Sequence, residues 1–295
     1  MELAFSNNSQ YDPISPANEM GAYEALWSEQ GASFKTIAEK FKAAPQLLPS
    51  DFVKPEQVQK YKSKVFELLE KAGIDNFGIR INGTLEYLKQ LRDAKYPIEL
   101  LYFQGVWDLA SSPSVAIVGT REPTEAGKKR TRRLVKYLVE DGFTITSGLA
   151  KGIDTMAHIS ALEEHGRTIA VIGTPLTQNY PKENRRLQDL LSKHFLVISQ
   201  VPFIRYSNQS PKYNRFFFPE RNKLMSAITK ATIIVEAGET SGTLVQARAA
   251  LEQGRKLFIL DSCFKNPNIT WPEKFAKRGA IRVKEYDDIK KHLPS

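Results

Sequence analysis

The sequence predicts an α/β fold in which a doubly wound parallel sheet follows a small helical N-terminal domain. From residue 115 onward, short runs rich in β-branched residues recur, and helix-like segments separate them. This alternation is typical of βαβ units, which build parallel sheets covered by helices on both faces. The strand-like runs lie at 115–118, 143–146, 168–172, 195–199, 232–235 and 257–260.

The intervening segments have helical patterns at about 127–140, 152–165, 182–193, 220–230 and 242–253. The first 75 residues differ, because helical periodicity appears at 22–30, 34–42 and 57–71 and β-branched runs are almost missing. We therefore expect a small helical domain over residues 1–75 and the sheet domain over residues 76–295. Within the latter, 76–113 reads as a connecting α/β segment with a strand at 100–103.

Composition narrows the class of protein. The chain has 295 residues, 41% of them hydrophobic, and a formal net charge of +9, which favours a polyanionic partner. Its one cysteine, Cys263, excludes an internal disulfide framework and a cysteine-rich zinc site, and the four histidines form no HExxH-like pair. No signal peptide or long apolar run is evident. We expect a cytoplasmic protein without a metal or cofactor.

Two loops that follow predicted strands are typical of phosphate sites. Residues 147–154 place Gly148, Lys151 and Gly152 between a strand and a helix, where backbone N–H groups and a lysine favour an anion. Residues 119–121 repeat the arrangement one unit earlier, with Gly119 and Arg121. Parallel strands share their carboxyl edge, so both cations should lie beside one ligand crevice.

Cations and aromatic residues alternate in the segment 215–223. Arg215 and Arg221 could hold phosphates, Asn222 adds a polar group, and Phe218 could stack on an unpaired base. Three consecutive phenylalanines, 216–218, cannot all face the same way. We expect at least one of them in the core and one near solvent.

The loop at 236–243 supplies further small and hydroxyl residues. Ser241, Gly242 and Thr243 offer N–H and O–H donors to a phosphate, and the same residues would also suit a tight turn with a helix cap. The helix beginning near residue 124 carries many cations, which fit a solvated face and a phosphate-tracking face equally well.

No constellation for acid–base or nucleophilic catalysis is apparent. Asp154 and His158 stand four residues apart on one predicted helix, a spacing that is typical of a surface or capping pair. We therefore predict that the protein is not an enzyme.

Taken together, the motifs at 115–121, 147–154, 180–185, 218–222, 241–243 and 249–254 resemble the DNA-processing protein A family (DprA, also called Smf) over about residues 66–293. The resemblance implies an extended Rossmann-like fold, single-stranded DNA binding, a homodimer, and loading of the RecA recombinase onto incoming DNA during competence and natural transformation. It implies that Arg121 and Lys151 contact the DNA backbone and that Arg215 and Phe218 match the family's cation and aromatic residue. Residues 1–75 occupy the place of its helical domain, as a degenerate SAM-like or helix-hairpin-like unit.

Two other functions remain open for such a crevice. Related nucleotide phosphoribohydrolases carry Gly-Thr-x-x-Glu, but here Gly242 and Thr243 lead to Gln246, which cannot act as a carboxylate. A sensor for a nucleotide signal would use similar loops. The wider basic and aromatic surface favours a DNA strand, because a single nucleotide would not need it.

Overall fold

The computed structural model describes residues 14–84 and 86–293. The first 13 residues of the predicted helical domain and the last two of the predicted sheet domain lie outside this range.

Nine strands form one sheet in the order β1-β2-β6-β5-β4-β3-β7-β8-β9. The strands are β1 Gly78–Ile81, β2 Leu100–Gly105, β3 Ser114–Val118, β4 Thr144–Ser147, β5 Thr168–Ile172, β6 Leu196–Ser199, β7 Ala231–Ile234, β8 Lys256–Leu260 and β9 Ile281–Val283. Strands β3 to β9 pair in parallel, which confirms the doubly wound sheet. Strands β1 and β2 were not expected to run antiparallel at one edge, where they extend the sheet beyond β6.

Thirteen α-helices lie within the described residues. They are α1 Pro16–Trp27, α2 Phe34–Ala43, α3 Pro55–Lys71, α4 Glu125–Glu140, α5 Ile153–Glu163, α6 Arg185–His194, α7 Phe203–Asn208, α8 Pro211–Asn214, α9 Phe217–Ala227, α10 Thr243–Glu252, α11 Asp261–Phe264, α12 Trp271–Ala276 and α13 Asp287–Lys290. Short 3₁₀ turns occur at Pro49–Phe52, Lys89–Asp93, Trp107–Ser111 and Lys182–Asn184.

Alternation along the buried strands builds a core on each face of the sheet. In β3, Val115 and Ile117 pack with the apolar faces of α4 and α5. Ala116 and Val118 point the other way, into a cluster that includes residues of α9, α10 and α12. This period of two is the pattern of a strand covered on both sides, and it fixes the helices that carry the site against the sheet.

The N-terminal helices pack on the same sheet through a third cluster, which joins Trp27 and Phe41 to Tyr102 and Phe203. Helix α2 begins at a capping box, in which Ser33 Oγ accepts from Thr36 N at 3.2 Å and Thr36 Oγ1 accepts from Ser33 N at 2.9 Å. The helical character of this region is therefore confirmed for the described residues. The division at residue 75 stays a prediction.

Helix α1 also reaches the sheet through a buried carboxylate. Glu24 Oε1 accepts from Tyr102 Oη at 2.6 Å and from Phe203 N at 2.8 Å, while Oε2 accepts from Ile204 N at 2.9 Å. Burial raises the pKa of Glu24 to about 7, although these hydrogen bonds oppose the shift. One side chain thus joins α1, β2 and the start of α7.

Across residues 14–84 and 86–293, no helix combines the length and the apolar character needed to cross a bilayer.

Candidate nucleic-acid interface

The order of the strands places a crevice beside β3. The chain winds outward from β3 through β4, β5 and β6, then returns to place β7 on the other side of β3. Loops that follow β3 and β7 diverge at such a switch point, and ligands of open α/β sheets bind there. Here they line a cavity of about 440 Å³, which we call the switch crevice. The predicted residues that line it are Gly119, Arg121, Phe218, Arg221, Asn222, Ser241, Gly242 and Thr243.

Hydrogen bonds join the two loops of the switch crevice. Thr120 N donates to Glu236 O at 2.7 Å, and Thr243 Oγ1 donates to Gly119 O at 3.2 Å. Glu236 also accepts from Thr124 Oγ1 at 2.8 Å, at the start of α4. The backbone after β3 is therefore held in place before any ligand arrives.

Arg121 is the exposed cation of this framework. It forms no ion pair with any acid in residues 14–84 and 86–293, including the adjacent Glu122, so no ion pair fixes this side chain to its loop. An exposed guanidinium at a crevice has five donors suited to phosphate oxygens. Arg121 is therefore a candidate for contact with an anion.

The loop at 147–154 differs from the expectation that it presents free N–H groups. Gly148 is buried and its N–H donates to Asp154 Oδ2 at 3.2 Å. Gly152 has a φ of +78°, and a Cβ there would lie 2.6 Å from the carbonyl carbon of Arg121. Both glycines serve close packing of the loops, and neither lines the switch crevice.

Lys151 is exposed at the same loop, outside the lining of the crevice. Its Nζ lies 2.6 Å from Glu183 Oε1, and both side chains are more than half exposed at 54% and 63%. A solvated pair of this kind is weak, so a phosphate could replace the carboxylate.

Arg221 has a structural place that the sequence did not reveal. Its side chain is 5% exposed, and Nη1 donates to Val171 O at 2.6 Å and to Gly148 O. Burial lowers the pKa of this guanidinium, while nearby Asp154 opposes the shift. Arg221 thus ties the ends of β4 and β5 to α9, although it also lines the crevice.

Asp154 and His158 are both buried, which corrects the expectation of a surface pair. Burial raises the pKa of Asp154 to about 6 against the lowering effect of Arg221, and burial lowers the pKa of His158 to about 3. His158 Nδ1 lies 2.7 Å from Thr168 Oγ1, so the imidazole is a neutral core group. Both residues are thus part of the core that supports the loop at 147–154.

Asn222 holds the loop before α10. Its Nδ2 donates to Gly242 O at 3.2 Å, and its Oδ1 accepts from Arg221 Nε at 2.9 Å. Ser241 Oγ accepts from Thr243 N at 3.2 Å, which uses one of the donors expected to meet a phosphate. Gly242 is exposed and open, with no atom near its missing Cβ.

The three phenylalanines separate as expected. Phe217 is buried at 5% exposure against Trp27 and Phe34, whereas Phe216 is 68% exposed. Phe218 is half-buried and its ring lies 5.3 Å from that of Tyr180. The most exposed ring of the three is therefore that of Phe216, which had not been singled out.

Two exposed tyrosines extend this aromatic surface. Tyr180 is 48% exposed, and Tyr213 is 57% exposed with its ring 6.5 Å from that of Phe216. Arg215 and Lys212 are exposed beside them. The sequence analysis missed Tyr213; its signal was an aromatic residue two positions from the predicted Arg215.

Helix α4 presents a basic face to solvent. Lys129, Arg132, Arg133 and Lys136 are exposed, and Lys128 pairs with Glu125 at 2.6 Å. This arrangement fits a solvated face and a phosphate-tracking face equally well, because an exposed row of cations needs no ligand to be stable.

The fold and the site define a Rossmann-like α/β protein with a cationic crevice at its topological switch point. The model of the DNA recombination-mediator protein A family matches residues 79–294, and the chain belongs to that family. This confirms the family resemblance of the sequence motifs.

Curated relatives carry the names DprA and Smf. DNA processing protein DprA of Bacillus subtilis is 34% identical over 232 residues, which are 78% of this chain and 75% of that protein. DNA processing protein DprA of Streptococcus pneumoniae is 40% identical over 173 residues, 59% of this chain and 58% of that protein. Protein Smf of Synechocystis is 38% identical over 66% of this chain, which spans 48% of its length.

Two solved structures are similar over most of their length. The X-ray structure of DprA from Streptococcus pneumoniae superposes with a TM-score of 0.74 at 27% identity and covers 96% of this chain and 99% of that one. A structure concerning the single-stranded DNA binding mode of DprA from Helicobacter pylori gives a TM-score of 0.61 at 28% identity, over 73% and 94% of the two chains.

Proposed function

We propose that this protein binds single-stranded DNA through the switch crevice and the aromatic surface beside it. The observation that carries the proposal is Arg121, an exposed guanidinium without an acid partner in the described chain, at the switch point of the sheet. The related Helicobacter pylori protein, whose structure concerns a single-stranded DNA binding mode, supports it.

The chemistry favours a single strand over a duplex. Phe216, Tyr213 and Tyr180 are 68%, 57% and 48% exposed. Their rings offer faces on which unpaired bases can stack. A duplex keeps its bases stacked, so these rings would have no bases to meet. Arg121 and Arg215 then hold phosphates on either side of the stacked bases.

The predicted site residues divide into two roles in this proposal. Arg121, Lys151, Arg215 and Phe218 contact the strand, with Ser241 and Gly242 offering donors to a phosphate. Thr243, predicted as a further donor, instead holds the loops, because its N–H and its hydroxyl donate to Ser241 Oγ and Gly119 O. Gly119, Gly148, Gly152, Arg221 and Asn222 hold the loops in position through the contacts described above.

We further propose the cellular role that the family resemblance implies. A homodimer would protect incoming single-stranded DNA and load RecA recombinase during natural transformation or recombination. Formation of RecA filaments on strands covered by a single-stranded DNA-binding protein tests this step. The protein should accelerate filament formation, and an unchanged rate would reject the loading role while leaving DNA binding intact.

The direct test of the proposed function is a comparison of three ligands. We expect a fluorescent dT oligomer to bind more tightly than a duplex of equal length and far more tightly than dTMP. Equal or tighter duplex binding would reject the single-strand proposal. Equal binding of dTMP would instead support a nucleotide sensor.

An enzymatic alternative has one observation in its favour, because Asp154 lines the crevice with a raised pKa of about 6. Gln246 occupies the place of the phosphoribohydrolase carboxylate and is fully buried, with its Nε2 donating to Thr232 Oγ1 at 3.2 Å. We expect no release of base or phosphate from nucleoside monophosphates or ATP. Turnover that disappears in Asp154→Asn would establish the alternative.

A further inference from the structure

Helix α4 carries a row of cations that its surroundings leave unpaired. Between residues 126 and 139 the helix has six cations and no acid. Four of them are exposed and form no ion pair with an acid in residues 14–84 and 86–293: Lys129, Arg132, Arg133 and Lys136. We call these four residues the α4 row. Because they recur at intervals of three and four residues, they share one side of the helix over about 10 Å of its length.

The order of charges in the α4 row opposes the stability of the helix. Every charged residue that stands three or four positions from Arg132 or Arg133 is another cation, and like charges at these spacings repel. The last turn of α4, where the helix dipole favours cations, has none. By contrast, the exposed Lys60 and Lys64 of α3 each have a glutamate three or four positions away. A solvated face gains nothing from such repulsion, whereas an anionic ligand would remove it.

The start of α4 is fixed at the wall of the switch crevice. Arg121, which lines the crevice, stands four residues before the first residue of the helix. Thr124 Oγ1 accepts from Gly127 N at 3.0 Å and donates to Glu236 Oε2 at 2.8 Å, so the helix cap is tied to the loop after β7. A cavity of about 170 Å³ at this junction is lined by Thr124, Glu236 and the half-buried Arg130. Cations therefore continue from Arg121 through Arg130 to the α4 row.

We propose that the α4 row holds phosphates of the DNA strand where the strand leaves the switch crevice. This inference rests on the proposed function, because it assigns a path to the strand bound there. Phosphates of a nucleic-acid backbone need only cations for binding. The row has no aromatic ring, so the bases of this part of the strand face solvent and their sequence does not matter.

The same helix offers little to a membrane surface. Helices that bind anionic membranes place an apolar face among the lipid headgroups beside their cations. The apolar side chains Leu134, Val135 and Leu138 of α4 are buried in the core against the sheet. The α4 row thus presents charge without an apolar surface, which favours a nucleic-acid strand.

Two lengths of dT separate the switch crevice from the α4 row. An oligomer of about 5 nucleotides is short enough to remain in the crevice, and one of about 30 nucleotides is long enough to reach the row as well. Fluorescence anisotropy at several salt concentrations measures the slope of log K against log salt for each. We expect Arg132→Gln/Arg133→Gln to lower the slope for the long oligomer by about 1.4, since each lost phosphate contact contributes about 0.7. The slope for the short oligomer should not change.

Lys60→Gln/Lys64→Gln is the matched control, because it removes two exposed cations from a helix that does not line the crevice. It should leave both slopes unchanged. The α4 double variant removes only repulsive neighbours within the helix, so its melting temperature should be unchanged or higher. A weaker affinity for the long oligomer then reports a lost contact and not a lost fold.

Arg121→Ala distinguishes failure of this inference from failure of the proposed function. If Arg121→Ala weakens both oligomers and the α4 double variant weakens neither, the crevice binds DNA and the α4 row is a solvated face, which overturns the inference alone. If Arg121→Ala weakens neither, the strand does not occupy the crevice and both proposals fail. An equal loss for both lengths in the α4 double variant would show a general effect of charge and overturn the path. Binding of phosphatidylserine vesicles that this variant loses, with an unchanged slope for DNA, would assign the row to a membrane and also overturn it.

Discussion

The Arg221 guanidinium occupies the space that a Cβ on Gly148 would need, and it donates there to the Gly148 carbonyl oxygen. A glycine that looked like a phosphate-loop residue thus makes room for a buried cation. The loop after β4 and helix α9 are held together by this contact, which also places Arg221 beside Asp154.

Replacement of Arg221 should unfold this region. Arg221→Ala leaves the Val171 and Gly148 carbonyls without their donor and Asp154 buried without its cation, so we expect a loss of about 3–5 kcal/mol in the free energy of unfolding. Urea denaturation measures it. The exposed Arg185→Ala serves as control and should change stability by less than about 0.5 kcal/mol. A near-neutral Arg221→Ala would show that the side chain serves the ligand alone.

Arg121→Ala should affect binding and leave stability unchanged. Losing one phosphate contact should weaken the affinity for a dT oligomer and lower the slope of log K against log salt by about 0.7. Lys277→Ala, which removes an exposed cation outside the switch crevice, is the matched control. A lower melting temperature with an intact salt slope would mean that Arg121 fixes its loop.

The adjacent phenylalanines should separate stacking from packing. Phe216→Ala removes an exposed ring and should weaken single-strand binding by about 1–3 kcal/mol without changing the melting temperature. Phe217→Ala removes a buried ring and should lower the free energy of unfolding by about 3–5 kcal/mol. Fluorescence anisotropy and thermal melting of both variants provide the comparison, and wild-type affinity in Phe216→Ala would exclude stacking at that ring.

Removal of Glu183 should strengthen DNA binding. Glu183 pairs with Lys151 at 2.6 Å, and Glu183→Gln frees the ammonium while removing a negative charge near the strand. We expect a gain of about twofold to fivefold in affinity at low salt, consistent with the small energy of an exposed pair. The gain should be smaller in Lys151→Ala, and a gain of unchanged size there would mean that Lys151 does not contact the strand.

Stability should fall as the pH rises from about 4.5 to 7. Burial raises the pKa of Glu24 to about 7 and that of Asp154 to about 6, so the folded state holds protons that the unfolded state has released. Burial lowers the pKa of His158 to about 3, so this group alone would make stability rise with pH up to about 6.5. Its contribution offsets that of one of the two carboxyls. Because each group is only partly titrated over this range, the net slope is that of about half a group, near 0.7 kcal/mol per pH unit.

Thermal unfolding at pH 5, 6 and 7 measures this slope. Glu24→Gln should flatten it, because the variant cannot titrate, whereas Glu125→Gln at an exposed position should not. A stability that rises over this range would show that the buried carboxyls are ionised throughout.

The sheet was predictable because buried parallel strands are continuous β-branched runs, such as the one in β3. Strands β1 and β9 are short and lack such runs, and helices α7 and α8 are shorter than two turns of a periodic pattern. Arg121 could be placed because its position after a parallel strand determines its edge of the sheet. The burial of Arg221 depends on Gly148, 73 residues away in sequence, and no local pattern reports such a pairing.

The three hydrogen bonds of Glu24 make helix α1 part of the frame that supports the site. Removal of the N-terminal helices would leave Tyr102 Oη and two N–H groups of α7 without an acceptor. Separation of the two parts is therefore costly even though residues 1–75 look like an independent module in the sequence. We expect the two parts to melt together in a single cooperative transition.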